Sequence, residues 1–170
     1  VDDPLFTFIG SGKILGGVPI QFVYMLVVIV ISGLILNRTK FGRNIYAVGD
    51  NKQAASYSGI NSRRVTMTVF VIMGIFASCA GILSSARTFS AQFNVGEGSE
   101  MDAISAVVLG GTSMSGGVGR LSGTIIGCIV IGVLNNGMNI LGIDSSWQYV
   151  VKGVVVLIAV FIDYIKKMKD

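Results

Sequence analysis

An all-α bundle of membrane-crossing helices is the fold this sequence predicts, a polytopic domain of about five crossings, one of them a half-helix continued by a glycine-rich loop. Three observations carry that expectation. Of 170 residues, 52% are hydrophobic and 13% charged, where an ordinary soluble domain carries roughly 25% charged residues. Apolar runs long enough to span a bilayer recur along the chain. The basic residues gather in two stretches beside such runs, as they do at the cytoplasmic ends of membrane helices. Residues 1–170 are read as a single transmembrane domain, with the loop 37–64 projecting from it.

The lead, Val1 to Gly17, has no basic segment ahead of its apolar residues and so does not read as a signal peptide. The chain is expected to lack an N-terminal half. A spanning helix needs about 20 apolar residues to cross roughly 30 Å of hydrocarbon. Val18 to Leu36 meets that length, with Pro19 tolerated in a first turn, and so do Val65 to Ala86 and Leu121 to Leu141. Trp147 to Tyr164 is flanked by Trp147 and Tyr149 at one end and Tyr164 at the other, the aromatic belt expected at two interfaces.

Between Ala86 and Arg120 the chain is apolar only from Ala103 to Leu109, and then reads GGTSMSGGVG from Gly110 to Gly119. Met101 to Leu109 covers about 14 Å as helix, and the extended residues after it can add about 30 Å, so a broken crossing is physically possible. Ser99 with Asp102 three residues on resembles a capping box, and Glu100 and Asp102 suit the positive end of a helix dipole.

Charge sets the expected orientation. The loop from Asn37 to Arg64 holds Arg38, Lys40, Arg43, Lys52, Arg63 and Arg64 against Asp50, and the tail holds Lys166, Lys167 and Lys169. Both should be cytoplasmic. Parity then sends Val65 to Ala86 outward, Met101 to Gly119 back inward, Leu121 to Leu141 outward and the last span inward. Ser62, Gly116 and the C-terminus are expected inside, and Gln92 and Ser145 outside. If the glycine-rich stretch were a surface loop instead, the basic residues would not all fall on one side.

Catalysis is not expected. The absence of His removes Ser-His and Cys-His chemistry and His-ligated zinc together. Cys79 and Cys128 lie in apolar runs as small hydrophobes, and no metal site or cofactor is implied. Gly12-Lys13 lacks the first glycine and the Ser/Thr of a phosphate-binding loop, and Gly117-Val118-Gly119 lacks the third glycine of a dinucleotide fingerprint. Asp102 and Asp163 sit at opposite ends of the apolar region rather than as a buried pair. No ATP site is expected in the chain either. The net charge of +4 is scattered among apolar runs and does not form a nucleic-acid surface.

Gly119, Gly123 and Gly127 form a small-xxx-small ladder on one helix face, which favours close helix packing. A Gly/Ser/Thr run at membrane depth must line protein or water, so Gly110, Gly111, Thr112, Ser113, Ser115 and Gly116 fit either a polar pathway or tight packing. Asn135, Asn136 and Asn139 lie about 22 to 28 Å along a helix from Arg120. Their amides fit bonds to adjacent helices or contact with a polar substrate, and Asn136 and Asn139 are assigned with the glycine-rich loop to the pathway. Lys152, five residues into the last span, is expected to reach the outer interface along its own stem.

Within the basic loop, Asp50 and Asn51 offer a cap, Lys52 to Tyr57 with Ala54 and Ala55 forms a short helix, and Ser58-Gly59 ends it in a left-handed turn. Two turns of helix are marginal alone, so this one should dock onto the membrane domain or a cytoplasmic partner. FGRNIYAVGDNKQAASYSGIN (Phe41 to Asn61) resembles the cytoplasmic loop of the inner-membrane permeases of monosaccharide ABC importers, of the ribose, galactose and xylose type. The likeness continues through AGILSSARTFSAQ, GSEMDAISAVVLGGTSMSGGVGRLSGTIIG and LNNGMNILGIDSSWQYVVKG, so it covers nearly the whole chain. Such permeases are about twice this length. The resemblance implies a homodimeric or pseudo-dimeric pore in the bacterial cytoplasmic membrane, two cytoplasmic ATPase subunits, and a periplasmic or lipoprotein sugar-binding protein. It also implies that Asp50, Asn51, Ala54, Ala55, Ser58 and Gly59 couple the permease to the ATPase. A branched-chain amino-acid permease is the alternative within the superfamily. A secondary transporter or channel is the alternative of another class, and would be expected to carry an intramembrane ionisable relay.

Overall fold

The computed structural model describes residues 4–14, 17–90 and 96–167. Over these the chain forms eight helices and one antiparallel ladder of two-residue strands, β1 (Lys13–Ile14) and β2 (Val18–Pro19), so the all-α expectation holds. The chain divides into two compact units, Val1–Val48 with Gln53–Glu97, and Gly49–Lys52 with Gly98–Asp170.

The first unit contains α1 (Pro4–Ser11), α2 (Ile20–Arg38), most of α3 (Lys40–Asp50), most of α4 (Lys52–Tyr57) and α5 (Ser62–Thr88). α2 and α5 are the first two expected spans. In lipid a backbone must satisfy its own hydrogen bonds, which leaves helix as the outcome for runs this long and apolar. Thr66, Thr68 and Ser78 put no unmet hydroxyl on α5, because each donates to the carbonyl four residues back. Asn61 caps that helix, its side-chain oxygen accepting from the Arg64 amide at 3.0 Å. α1 was not anticipated. It lies on α5 so closely that a Cβ at Gly10 would overlap the Ala86 carbonyl, and Ala86 is fully buried. The Gln21 amide then reaches back from α2 to donate to the Gly10 carbonyl at 2.6 Å.

α3 is a second element beyond the expected set. Its start was legible in Thr39, whose hydroxyl accepts from the Gly42 amide at 3.0 Å while donating to the Ile35 carbonyl at 2.6 Å. One side chain thus closes α2 and opens α3, as an N-cap does. Phe41 and Ile45, one turn apart on α3, face an apolar groove shared with Leu36 of α2 and Phe76 of α5.

The second unit is built on α6 (Ser99–Leu109), α7 (Leu121–Ile140) and α8 (Ser145–Lys167). α6 is the expected half-helix, and non-helical chain runs from Gly110 to Arg120. It packs on both α7 and α8. The glycine ladder makes the first contact possible: a Cβ at Gly127 would overlap the Ala106 carbonyl, and one at Gly123 the Gly110 carbonyl. Helix packing is therefore the role of Gly123 and Gly127, while Gly119 precedes α7 and lies against the Thr112 side chain. Where a capping box was expected, Gly98 occupies the N-cap at φ 83° with no side-chain cap. Asp102 is turned away to other partners, described below.

α2, α5 and α7 are each long and apolar enough to cross a membrane, and α8 is apolar from Ser145 to Phe161. Within the chain only 6% of the apolar stretch of α2, 6% of that of α5 and 17% of that of α7 is buried, which leaves their faces for lipid or further protein. Gln92 and Lys169 lie outside the described residues.

Candidate translocation and coupling sites

The short helix in the basic loop forms with the expected limits, Lys52–Tyr57. Asp50 is the last residue of α3, and Asn51 stands between the two helices. The far end is as expected: Gly59 takes φ 82°, the Ser58 amide donates to the Ala54 carbonyl and the Ile60 amide to the Ala55 carbonyl, each at 3.0 Å. That pairing around a left-handed glycine satisfies carbonyls a helix end otherwise leaves open. Ala55 is 5% exposed and so faces its own chain, whereas Ala54, Ser56 and Ser58 are exposed and Tyr57 is 91% exposed. The exposed surface of α4 thus consists of Tyr57 and its neighbours, with Ala55 seated beneath them.

The glycine-rich loop is held by backbone approach. A Cβ at Gly110 would meet the Gly123 backbone at 2.5 Å, and one at Gly116 would overlap the Gly49 carbonyl. Gly117, at φ 75°, lies against Asp50, whose Cα, Cβ and Oδ1 would each be 2.9 Å from an added Cβ. Gly111 and Gly116 also take left-handed backbone, at φ 83° and 91°. Gly111 and Ser115 are exposed, Gly110, Thr112 and Gly116 half-buried, and Ser113 buried. On α7, Asn136 is exposed, and the Asn139 side-chain oxygen accepts from the Gln148 amide at 2.9 Å. Gln148 also donates to the Ile143 carbonyl, so Asn139 belongs to a set of bonds that fastens the turn between α7 and α8.

The sequence reading missed the most polar feature of the second unit. Lys152 does not reach outward along its stem. It is 8% exposed, and its ammonium meets the Asp102 carboxylate at 2.6 Å. The second Asp102 oxygen accepts from the Asn135 amide at 2.9 Å, and the ammonium stands 5.6 Å from the centroid of the Tyr149 ring. The reason is energetic: a carboxylate within reach lets the charge stay inside a low-dielectric bundle, where an unpaired ammonium could not. Asp102, Asn135 and Lys152 each sit on a different helix, so no local spacing announced the set. The available signal was that Asp102 and Lys152 are opposite charges beside apolar runs.

Among the described residues no group of His, Cys, Asp and Glu could hold a metal ion. A cavity of about 300 Å³ lies between α6 and α8, with Lys152, Tyr149 and Ser105 on an otherwise apolar wall.

Comparison with known proteins places these features in a family. Residues 3–160 match the family model described as branched-chain amino acid transport system / permease component. The chain is 48% identical to the ribose import permease protein RbsC of Bacillus subtilis over 93% of its own length and 49% of that protein's. It is likewise 48% identical to RbsC of Escherichia coli K12, over 94% and 49%. Against the xylose transport system permease protein XylH of Haemophilus influenzae it is 44% identical over 90% and 41%. The chain thus spans about half the length of the curated relatives it matches. No solved structure matches it. With a family model covering nearly all its residues and its apolar helices arranged as above, this chain belongs to the permease family of the branched-chain amino acid transport system type.

Proposed function

We propose that the chain is part of a permease subunit that carries a monosaccharide across the bacterial cytoplasmic membrane, driven by partner ATPase subunits and supplied by a sugar-binding protein. The observation that carries this reading is the 48% identity to two ribose import permeases over more than nine-tenths of the chain. The basic loop 37–64 and the C-terminus face the cytoplasm, where ATP is available, and the segment Asp50 to Gly59 docks on the ATPase. A capped six-residue helix presenting an exposed tyrosine supports that role. The route for the sugar passes the Gly110 to Gly116 segment and the Asn136 and Asn139 amides, and the exposure of Gly111, Ser115, Asn136 and Asn139 supports it. Hydrolysis belongs to the partners, and a second permease copy completes the pore.

The test is uptake into proteoliposomes holding the intact complex. ATP inside the ATPase-accessible compartment should drive accumulation of labelled D-ribose or D-xylose, while a proton or sodium gradient without ATP should not. Competition by unlabelled pentoses but not by leucine separates the sugar reading from the amino-acid one that the family description carries. Gradient-driven uptake without ATP would instead mark a secondary transporter.

A further inference from the structure

We propose that Asp102, Asn135 and Lys152 form a binding station for the hydroxyls of a monosaccharide, with Tyr149 beside it as an apolar platform. The inference rests on the sugar-permease reading and names the side chains that would touch the sugar.

Ionisable groups inside membrane bundles are costly, and those that persist mark functional paths more often than frameworks. Stability does not require this pair, since well-packed apolar residues in place of a buried ion pair are commonly neutral or stabilising. What the pair supplies is hydrogen-bonding capacity without net charge. The ammonium has three donors and the carboxylate engages one of them at 2.6 Å. The Asn135 amide donates to the carboxylate, but its side-chain oxygen is buried with no hydrogen-bond partner among the described residues. Native structures rarely leave such an acceptor unmet. Free donors next to a free acceptor are what vicinal hydroxyls require, because each hydroxyl both donates and accepts.

The Asp102 side chain keeps 31% of its surface exposed and that of Lys152 10%, while Asp102 Oδ1 and Asn135 Oδ1 are themselves buried, so a sugar would meet the set from the Lys152 side. The cavity of about 300 Å³ beside it places Lys152 and Tyr149 against an apolar wall. That volume is at the lower end of the roughly 300–1,000 Å³ typical of small-molecule sites. An aromatic ring can cover the C–H face of a sugar while the charged pair meets its hydroxyls. Because the pair is neutral overall, it offers a passing neutral solute contacts without holding an ion.

The experiment uses the intact complex with its binding protein saturated in D-ribose, or in D-xylose if ribose is not carried. Asn135→Leu removes the unmet acceptor, and the double variant D102N/K152M removes both charges together, so neither leaves a buried charge unpaired. In each, ATPase association should stay at the wild-type level while maximal uptake falls about tenfold, as the loss of one net hydrogen bond of ordinary strength implies. Wild-type uptake in both variants would overturn the station and leave the three residues as a clasp between helices. Should either variant fail to assemble, the wild-type complex carries the test: a diazirine derivative of the transported pentose, photolysed during turnover, should label peptides of α6 or α8, and labelling confined to other segments overturns the proposal. A wild-type complex that moves no monosaccharide removes the sugar reading itself, and the station with it.

Discussion

Gly111 and Gly116 separate two costs that a single substitution usually mixes. Both take left-handed backbone, at φ 83° and 91°, but a Cβ at Gly111 meets nothing within 4 Å while one at Gly116 overlaps the Gly49 carbonyl. Gly111→Ala should therefore cost about 1 kcal/mol from backbone strain alone. Gly116→Ala adds a steric overlap with backbone, which cannot swing aside, and should cost roughly 1–3 kcal/mol more. Thermal unfolding of the purified permease reads both, and equal losses at the two positions would mean that the contact with Gly49 is absent. Asp144 offers a pH-dependent test in the turn before α8. Its Oδ1 accepts from the Ser146 amide at 2.8 Å, and the backbone and side-chain hydrogen bonds of Ser146 hold its carboxyl below the ordinary 3.8. A carboxyl depressed in the fold stabilises it above the unfolded value and loses that contribution as pH falls through the folded one. The stability gap between wild type and Asp144→Ala should thus be full at neutral pH and begin to close as pH falls towards and below 3.8. A gap unchanged down to pH values well under that would refute the cap.

α4 shows how an element of six residues is held, and what it leaves available. Too short to persist on propensity, it is fixed by the left-handed Gly59 and by the burial of Ala55. Gly59→Val places a β-branched residue at φ 82° and should cost on the order of 1 kcal/mol or more, unwinding the end of the helix. Tyr57→Ala leaves the helix seated but removes the side chain that is 91% exposed. If α4 is the docking element, both variants insert in the membrane normally and lose co-purifying ATPase, Tyr57→Ala by removing contact area and Gly59→Val by removing the shape. Wild-type co-purification in both would assign docking to another segment. Ala55→Glu probes something else, because its carboxylate would enter the chain's own packing and cost stability before any partner is met.

Orientation across the membrane is a property of the full set of crossings and can be read by labelling single cysteines with an impermeant thiol reagent. Cys79 and Cys128 are both exposed, so they are removed first. Ser62 is buried and Gly116 has no room for a side chain, which makes Ser58 and Ser115 the better cytoplasmic reporters, with Ser145 for the outside. Ser58 and Ser115 should label from the cytoplasmic face and Ser145 from the other. Labelling of Ser115 from the face opposite Ser58 would mean that α6 and its loop do not return the chain across the bilayer.

Much of this molecule was legible before any coordinates. The long apolar runs became α2, α5, α7 and α8 because a backbone in hydrocarbon has no other way to satisfy its own hydrogen bonds, and the glycine ladder on α7 packs helices because only glycine admits a carbonyl at contact distance. The left-handed end of α4 followed from Ser58-Gly59 for the same local reason. α1 escaped because its place depends on packing against α5, and α3 because the Thr39 cap that opens it went unread inside the basic loop. Lys152 escaped for a reason of distance. Whether a lysine in an apolar run reaches for the interface or stays inside depends on whether a carboxylate is within a few ångströms, and Asp102 comes to 2.6 Å of it only once α6 has packed against α8.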